Sequence, residues 1–211
     1  EKEENIVRIP VAGDFIEGNL HVPGGAKAVV LFAHGSGSSR FSPRNQYVAN
    51  VLNNAGNATL LIDLLTQKEE ALDMRTRQYR FDIELLTERL ISAAEWLKKN
   101  PRTQKLSLGI FGSSTGAAAA LIAAAKLPED VAAVVTRGGR PDLATEHLAD
   151  VRAPSLFIVG GRDTVVIDLN KKAMAQVSAE KKLEIVSGAT HLFEEPGKLE
   201  EVAKLATEWF M

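Results

Sequence analysis

Leu106-Ser107-Leu108-Gly109-Ile110-Phe111 runs directly into Gly112-Ser113-Ser114-Thr115-Gly116, and an alanine-rich stretch, Ala117 to Lys126, follows at once. The first part is apolar enough for a strand covered on both faces. The last part is a strong helix former whose small side chains permit close packing on a sheet. Between them lies a G-x-S-x-G pattern in a strand–turn–helix context. Such a turn strains the central residue and lifts its hydroxyl above the sheet. The flanking glycines are required because strand and helix approach too closely for side chains. Ser114 is therefore the candidate nucleophile. Ser113 lacks the symmetric glycine spacing and is expected to point into the fold.

The same pattern of buried strands and amphipathic helices extends in both directions. Apolar runs at Ala28 to Ala33, Ala58 to Ile62, Val131 to Thr136 and Ser155 to Val159 read as strands, with a shorter one at Leu183 to Val186. Asn5 to Val11 and Phe15 to Val22 read as an antiparallel hairpin around Ala12-Gly13-Asp14. Pro43, capped by Ser42, opens a helix to about Asn54. Ile83, Leu86, Leu90, Ala94 and Leu97 mark one face of a second helix, stopped by Pro101. Leu199, Val202, Leu205 and Trp209 mark the last. Strands alternating with helices predict an α/β fold: a mostly parallel sheet of about eight strands, helices on both faces, in one domain over residues 1–211. Ligands of such sheets bind beyond the carboxyl ends of the strands.

A serine hydroxyl needs a base. Of four histidines, His21 sits in the hairpin, His147 in a polar segment, and His34 in a Gly/Ser loop. His191, in Gly188-Ala189-Thr190-His191-Leu192-Phe193, follows the last strand and is the candidate base. Asp163, in Gly160-Gly161-Arg162-Asp163 after the preceding strand, is the candidate third member. Asp63 is the other candidate acid, Asp168 falls in a helical pattern, and Asp142 reads as a helix cap after Pro141. An oxyanion requires backbone N–H donors. Thr115, next to the nucleophile, supplies one. The loop His34-Gly35-Ser36-Gly37-Ser38-Ser39 supplies the other, with Ser36 favoured over Gly37 and His34 bonding to loop backbone. Arg40, Arg137 and Arg140 follow strands at the same end. They are candidates for holding a carboxylate or phosphate of a substrate; the alternative for each is solvent or a nearby acid.

These motifs, in this order, resemble the dienelactone hydrolase-like branch of the α/β-hydrolase superfamily, from Ala28 to the C-terminus. The resemblance implies an α/β-hydrolase fold, Ser114 as nucleophile, Asp163 as acid, His191 as base, and Ser36 with Thr115 as oxyanion donors. Dienelactone hydrolases proper use a cysteine nucleophile. This chain has no cysteine, which points to a serine esterase for small esters or thioesters, without cofactor or metal. A non-catalytic binding protein, an acyltransferase or perhydrolase, and a peptidase are the alternatives on the same residues. No segment is long enough for a separate lid domain, and Leu64 to Arg80, charged and irregular, is the one candidate flap.

The composition agrees. A net charge of −2 gives no electrostatic case for nucleic acid or an anionic membrane. The absence of cysteine excludes disulfides and thiolate chemistry and fits a reducing cytoplasm. Glu1-Lys2-Glu3-Glu4-Asn5 carries no apolar signal-peptide core, and no apolar stretch reaches the roughly 20 residues that span a bilayer.

Overall fold

A computed structural model describes residues 5–211; the N-terminal charges at 1–4 lie outside the described residues. Eight strands form one sheet: β1 Asn5–Val11, β2 Asp14–His21, β3 Ala28–Ala33, β4 Ala58–Ile62, β5 Ser107–Ser113, β6 Val131–Arg137, β7 Ser155–Gly160 and β8 Lys181–Val186. Their order is β1-β2-β4-β3-β5-β6-β7-β8. The first two contacts, β1 with β2 and β2 with β4, are antiparallel, and the rest are parallel. The two kinds of strand differ in burial as their sequences differ. Residues of β2 alternate between buried and half-buried, whereas all of β4 and β7 are buried. The β1–β2 turn has two residues, Ala12 (φ 43°) and Gly13 (φ 78°), a left-handed pair matched to the twist of a hairpin. At the other edge, β8 carries Lys181, Lys182 and Glu184, charges that discourage pairing with another chain.

Six helices accompany the sheet: α1 Pro43–Asn54, α2 Gln67–Thr76, α3 Ile83–Lys99, α4 Thr115–Lys126, α5 Thr164–Met174 and α6 Lys198–Phe210. One core, on the face covered by α3, α4 and α5, includes Leu31, Leu60, Leu90, Ile110 and Phe157. The other, under α1 and α6, is built on Phe32, Leu52, Phe111, Val135 and Val202. Ten successive residues of α4, Thr115 to Ala124, are buried. Its alanines let it lie against the sheet as the most enclosed helix, so the turn that begins it is held on all sides. Trp96 and Trp209 pack against the cores, Trp209 also donating to the Pro154 carbonyl at 3.1 Å. Among the described residues no helix is long and apolar enough to cross a membrane.

Two expectations are corrected. Leu64 to Arg80 is not an irregular flap: it contains α2, opened by a capping box between Thr66 and Glu69. Its low apolar content concealed the helix, because α2 lies over the end of the sheet and buries only Asp73. Asp142 does not cap the 3-10 segment Pro141–Asp150. Arg140 occupies that position, and Asp142 grips its guanidinium at 3.0 and 2.9 Å.

Asp73 is the anchor of the α2 region. It accepts from the backbone N–H groups of Tyr79 (2.8 Å) and Arg80 (3.1 Å) and from Arg80 Nε (3.0 Å). Burial raises its pKa, but those bonds outweigh it and hold the carboxyl below the ordinary value. A depressed folded-state pKa gives stability that is complete above the unfolded value of about 3.9 and is lost as pH falls through the folded one. Asp73→Asn should therefore lower the urea midpoint near neutrality, with the gap from wild type closing below about pH 4. A gap independent of pH would contradict this. In the core, Leu90→Ala should cost about 2–5 kcal/mol in the same assay with an unchanged denaturant slope.

Candidate active site

β5 delivers Ser113 and Ser114 to the carboxyl edge of the sheet. Ser113 is 2% exposed and turned inward. Ser114 has φ 52° and ψ −121°, a left-handed conformation that L-residues seldom adopt. Its neighbours explain how it is held. A Cβ on Gly112 would lie 2.6 Å from the Gly116 carbonyl, and one on Gly116 would lie 2.6 Å from the His34 carbonyl. Only two glycines allow strand, helix and the loop after β3 to converge here. The strained residue is also pinned through its backbone: its N–H donates to Arg137 O at 3.3 Å, and its carbonyl accepts from Arg140 N–H at 3.0 Å.

The side chains predicted to act with Ser114 meet it. Ser114 Oγ lies 3.2 Å from His191 Nε2, and His191 Nδ1 lies 2.6 Å from Asp163 Oδ2. An Nδ1–H donating to the carboxylate leaves Nε2 as acceptor for the serine hydroxyl. Asp163 starts α5, yet its side chain makes no capping bond, so the carboxylate is left for the imidazole. Glu195 secures the residue before the imidazole: it accepts from Thr190 N–H (2.6 Å) and Thr190 Oγ1 (2.5 Å). Those Thr190 bonds keep the Glu195 carboxyl below its ordinary pKa. Glu194 and Glu195 precede α6, which starts only at Lys198. Asp63 does not compete for the imidazole, being bonded to Arg40.

The loop after β3 stands on the other side of Ser114. His34 is buried, donates through Nδ1 to the Gly35 carbonyl (2.8 Å) and accepts from Leu64 N–H at Nε2 (3.0 Å). Burial lowers its pKa against the raising effects of Gly35 and Asp63, so the ring is neutral and structural. Thr115 opens α4, so its N–H has no intrahelical acceptor. The Ser36 N–H is engaged: it donates to Thr115 Oγ1 at 3.0 Å. Thr115 Oγ1 in turn lies 2.7 Å from Ser36 Oγ, and Ser36 Oγ bonds the Arg80 carbonyl. The α2 segment thus buttresses this loop, a role with no sequence motif to reveal it.

Ser36, Ser114, Thr115, Asp163 and His191 line a cleft of about 480 Å³. Of the three arginines expected there, Arg40 is corrected. Its guanidinium pairs with Asp63 and lies 3.6 Å from Glu17, with Asn19 accepting from Nε at 3.3 Å, away from the cleft. Arg140 reaches the cleft but is held by Asp142. Arg137 lines it and is buried. Arg44, in the first turn of α1, also lines it and was missed. Its signal was available: a cation at a helix N-terminus opposes the helix dipole, an arrangement that asks for a reason.

The model of the dienelactone hydrolase family matches residues 16–210. A dienelactone hydrolase from Anabaena variabilis is 59% identical and superposes with a TM-score of 0.98, covering 99% of this chain and 97% of that one. A lidless α/β serine hydrolase from Xanthomonas campestris shares the fold at 16% identity (TM-score 0.77; 99% of this chain, 94% of that one). A Mycobacterium tuberculosis protein named as a putative phosphoribosyl transferase is 56% identical across the whole chain. That match takes in 46% of the relative, so the chain spans about half the length of the curated relatives it matches most fully. With a family match running from β2 to the final helix, the chain belongs to the dienelactone hydrolase family of α/β-hydrolases.

Proposed function

We propose that the chain is a serine hydrolase cleaving small carboxylic esters or thioesters through an acyl-Ser114 intermediate. Membership of the family supports a hydrolase. The observation that carries the finer reading is the continuous relay from Ser114 Oγ to His191 to Asp163, at 3.2 and 2.6 Å. His191 Nε2 takes the hydroxyl proton as Ser114 Oγ attacks the carbonyl carbon, and Asp163 stabilises the imidazolium that forms. The Thr115 N–H receives the developing oxyanion. The Ser36 N–H becomes the second donor by exchanging Thr115 Oγ1 for the substrate oxygen, a small shift because Ser36 Oγ retains its bond to Thr115. Each such donor is worth about 3–4 kcal/mol in the transition state. Collapse expels the alcohol or thiol, protonated by His191, and a water activated by the same imidazole then releases the acid.

The transferase name of the M. tuberculosis relative describes a protein of which more than half lies outside the match. A serine nucleophile with an imidazole base is equipment for acyl transfer, and water is the acceptor we assign.

A panel of short ester, thioester, lactone and amide substrates tests the assignment. Ser114→Ala should stay folded and lose turnover by on the order of 10⁵–10⁶-fold. Equal rates in the two proteins would reject the nucleophile. Asp163→Asn should lower kcat by on the order of 10⁴-fold while leaving the circular dichroism spectrum unchanged, because the amide favours the wrong imidazole tautomer. A near-wild-type kcat would remove Asp163 from the mechanism.

A further inference from the structure

Asn170 is a polar residue in a place that packing alone would give to leucine. It lies two turns into α5 and is fully buried. Its Nδ2 donates to the Gly139 carbonyl at 3.1 Å and to the Val166 carbonyl, in its own helix, at 2.7 Å. Those two acceptors fix the orientation of the amide and use both of its N–H groups. The Oδ1 is then left buried without a partner. A buried polar atom without a hydrogen bond is costly, and a leucine of the same shape would carry none. The bond to Val166 stays within the helix. The bond to Gly139 spans 31 positions and joins α5 to the turn after β6.

That turn touches two members of the relay, and α5 begins directly after the third, Asp163. The turn grips Ser114 from both ends of the residue: Arg137 O accepts from the Ser114 N–H at 3.3 Å, and the Arg140 N–H donates to the Ser114 carbonyl at 3.0 Å. Gly138 backs the imidazole. A Cβ there would lie 3.1 Å from His191 Cε1 and 3.2 Å from His191 Nδ1, the nitrogen that faces Asp163. Gly139, between these contacts, rests on α4: a Cβ there would lie 2.6 Å from the Ala117 Cβ.

The relay depends on two distances, 3.2 Å from Ser114 to His191 and 2.6 Å from His191 to Asp163, that no single element sets. Ser114 follows β5, His191 lies in the loop after β8, and Asp163 stands at the start of α5. Asn170 does not line the cleft, so it is out of reach of a substrate. We infer that Asn170 is a positioning residue for the reaction: through the Gly139 carbonyl it locks α5, and with it Asp163, to the turn that grips Ser114 and backs His191. The orphaned Oδ1 follows from that use of the amide. The inference rests on the serine hydrolase reading above.

The test is Asn170→Leu, which keeps the side-chain shape and removes both donors. With 4-nitrophenyl acetate, kcat should fall on the order of 10- to 100-fold while KM stays within about twofold, because the reacting groups move apart and no substrate contact is lost. Two controls measure what destabilisation alone does. Leu90→Ala loosens the core on the same face of the sheet, and Thr136→Val removes a buried, unpartnered hydroxyl beside Gly139. Both should keep the wild-type kcat. A second readout needs no turnover. In 15N-labelled protein, at a pH where the ring is neutral, the ring nitrogens of His191 are read through their couplings to the carbon-bound ring protons and assigned by their loss in His191→Ala. Wild type and both controls should hold the proton on Nδ1, the tautomer that the bond to Asp163 selects. Asn170→Leu should show a mixture of tautomers, and that shift would support the lock even if Ser114 fails as the nucleophile. An unchanged tautomer, an unchanged kcat, or an equal loss of kcat in Leu90→Ala would overturn it.

Discussion

The left-handed backbone of Ser114 is the constraint on which the rest of the site depends. A residue at φ 52° costs on the order of 1–3 kcal/mol and persists because its surroundings leave no alternative. Here those surroundings are a strand buried on both faces, a helix buried through its first ten residues, and the carbonyls of Ala33 and His34 pressed against Gly116. The strain is held by the most enclosed part of the molecule. The hydroxyl consequently stands at the sheet edge with its direction fixed before any substrate arrives.

Around that fixed point the chain spends its polar groups on orientation. Asp163 forgoes a helix cap and bonds His191. Glu195 secures the backbone and side chain of Thr190, one residue before the imidazole. Arg80, held by Asp73, lends its carbonyl to Ser36 and so sets the loop facing the nucleophile. Arg40 is tied into Asp63 and Glu17 beneath that loop. Most charged residues near the cleft are thus satisfied by partners; buried Arg137, beside the Phe193 ring, is the exception.

The fold was legible because its strands are of two kinds. Uninterrupted apolar runs such as Ala28 to Ala33 announced the buried parallel strands, while the alternation in Phe15 to Val22 announced the hairpin. The strand ends drifted by a few residues: β5 continues to Ser113 and β8 begins at Lys181, where polar side chains hide a backbone that is still paired. The relay was legible because each member lies in the turn or loop after a strand and chain order fixes which strand. What could not be read was everything set by contacts distant in sequence. Arg40 and Arg137 look alike as arginines after strands, yet one meets Asp63 and Glu17 and the other meets no acid. Ser36 lies beside the elbow through a bond to Thr115 Oγ1 that spans 79 positions.

The most direct measurement is a crystal structure after treatment with a small fluorophosphonate, a reagent that traps an activated serine as a tetrahedral adduct. The account predicts phosphorus bonded to Ser114 Oγ, one phosphonyl oxygen within hydrogen-bond distance of the Thr115 N–H, and His191 still joined to Asp163. An unmodified Ser114, or an adduct on any other residue, would contradict it.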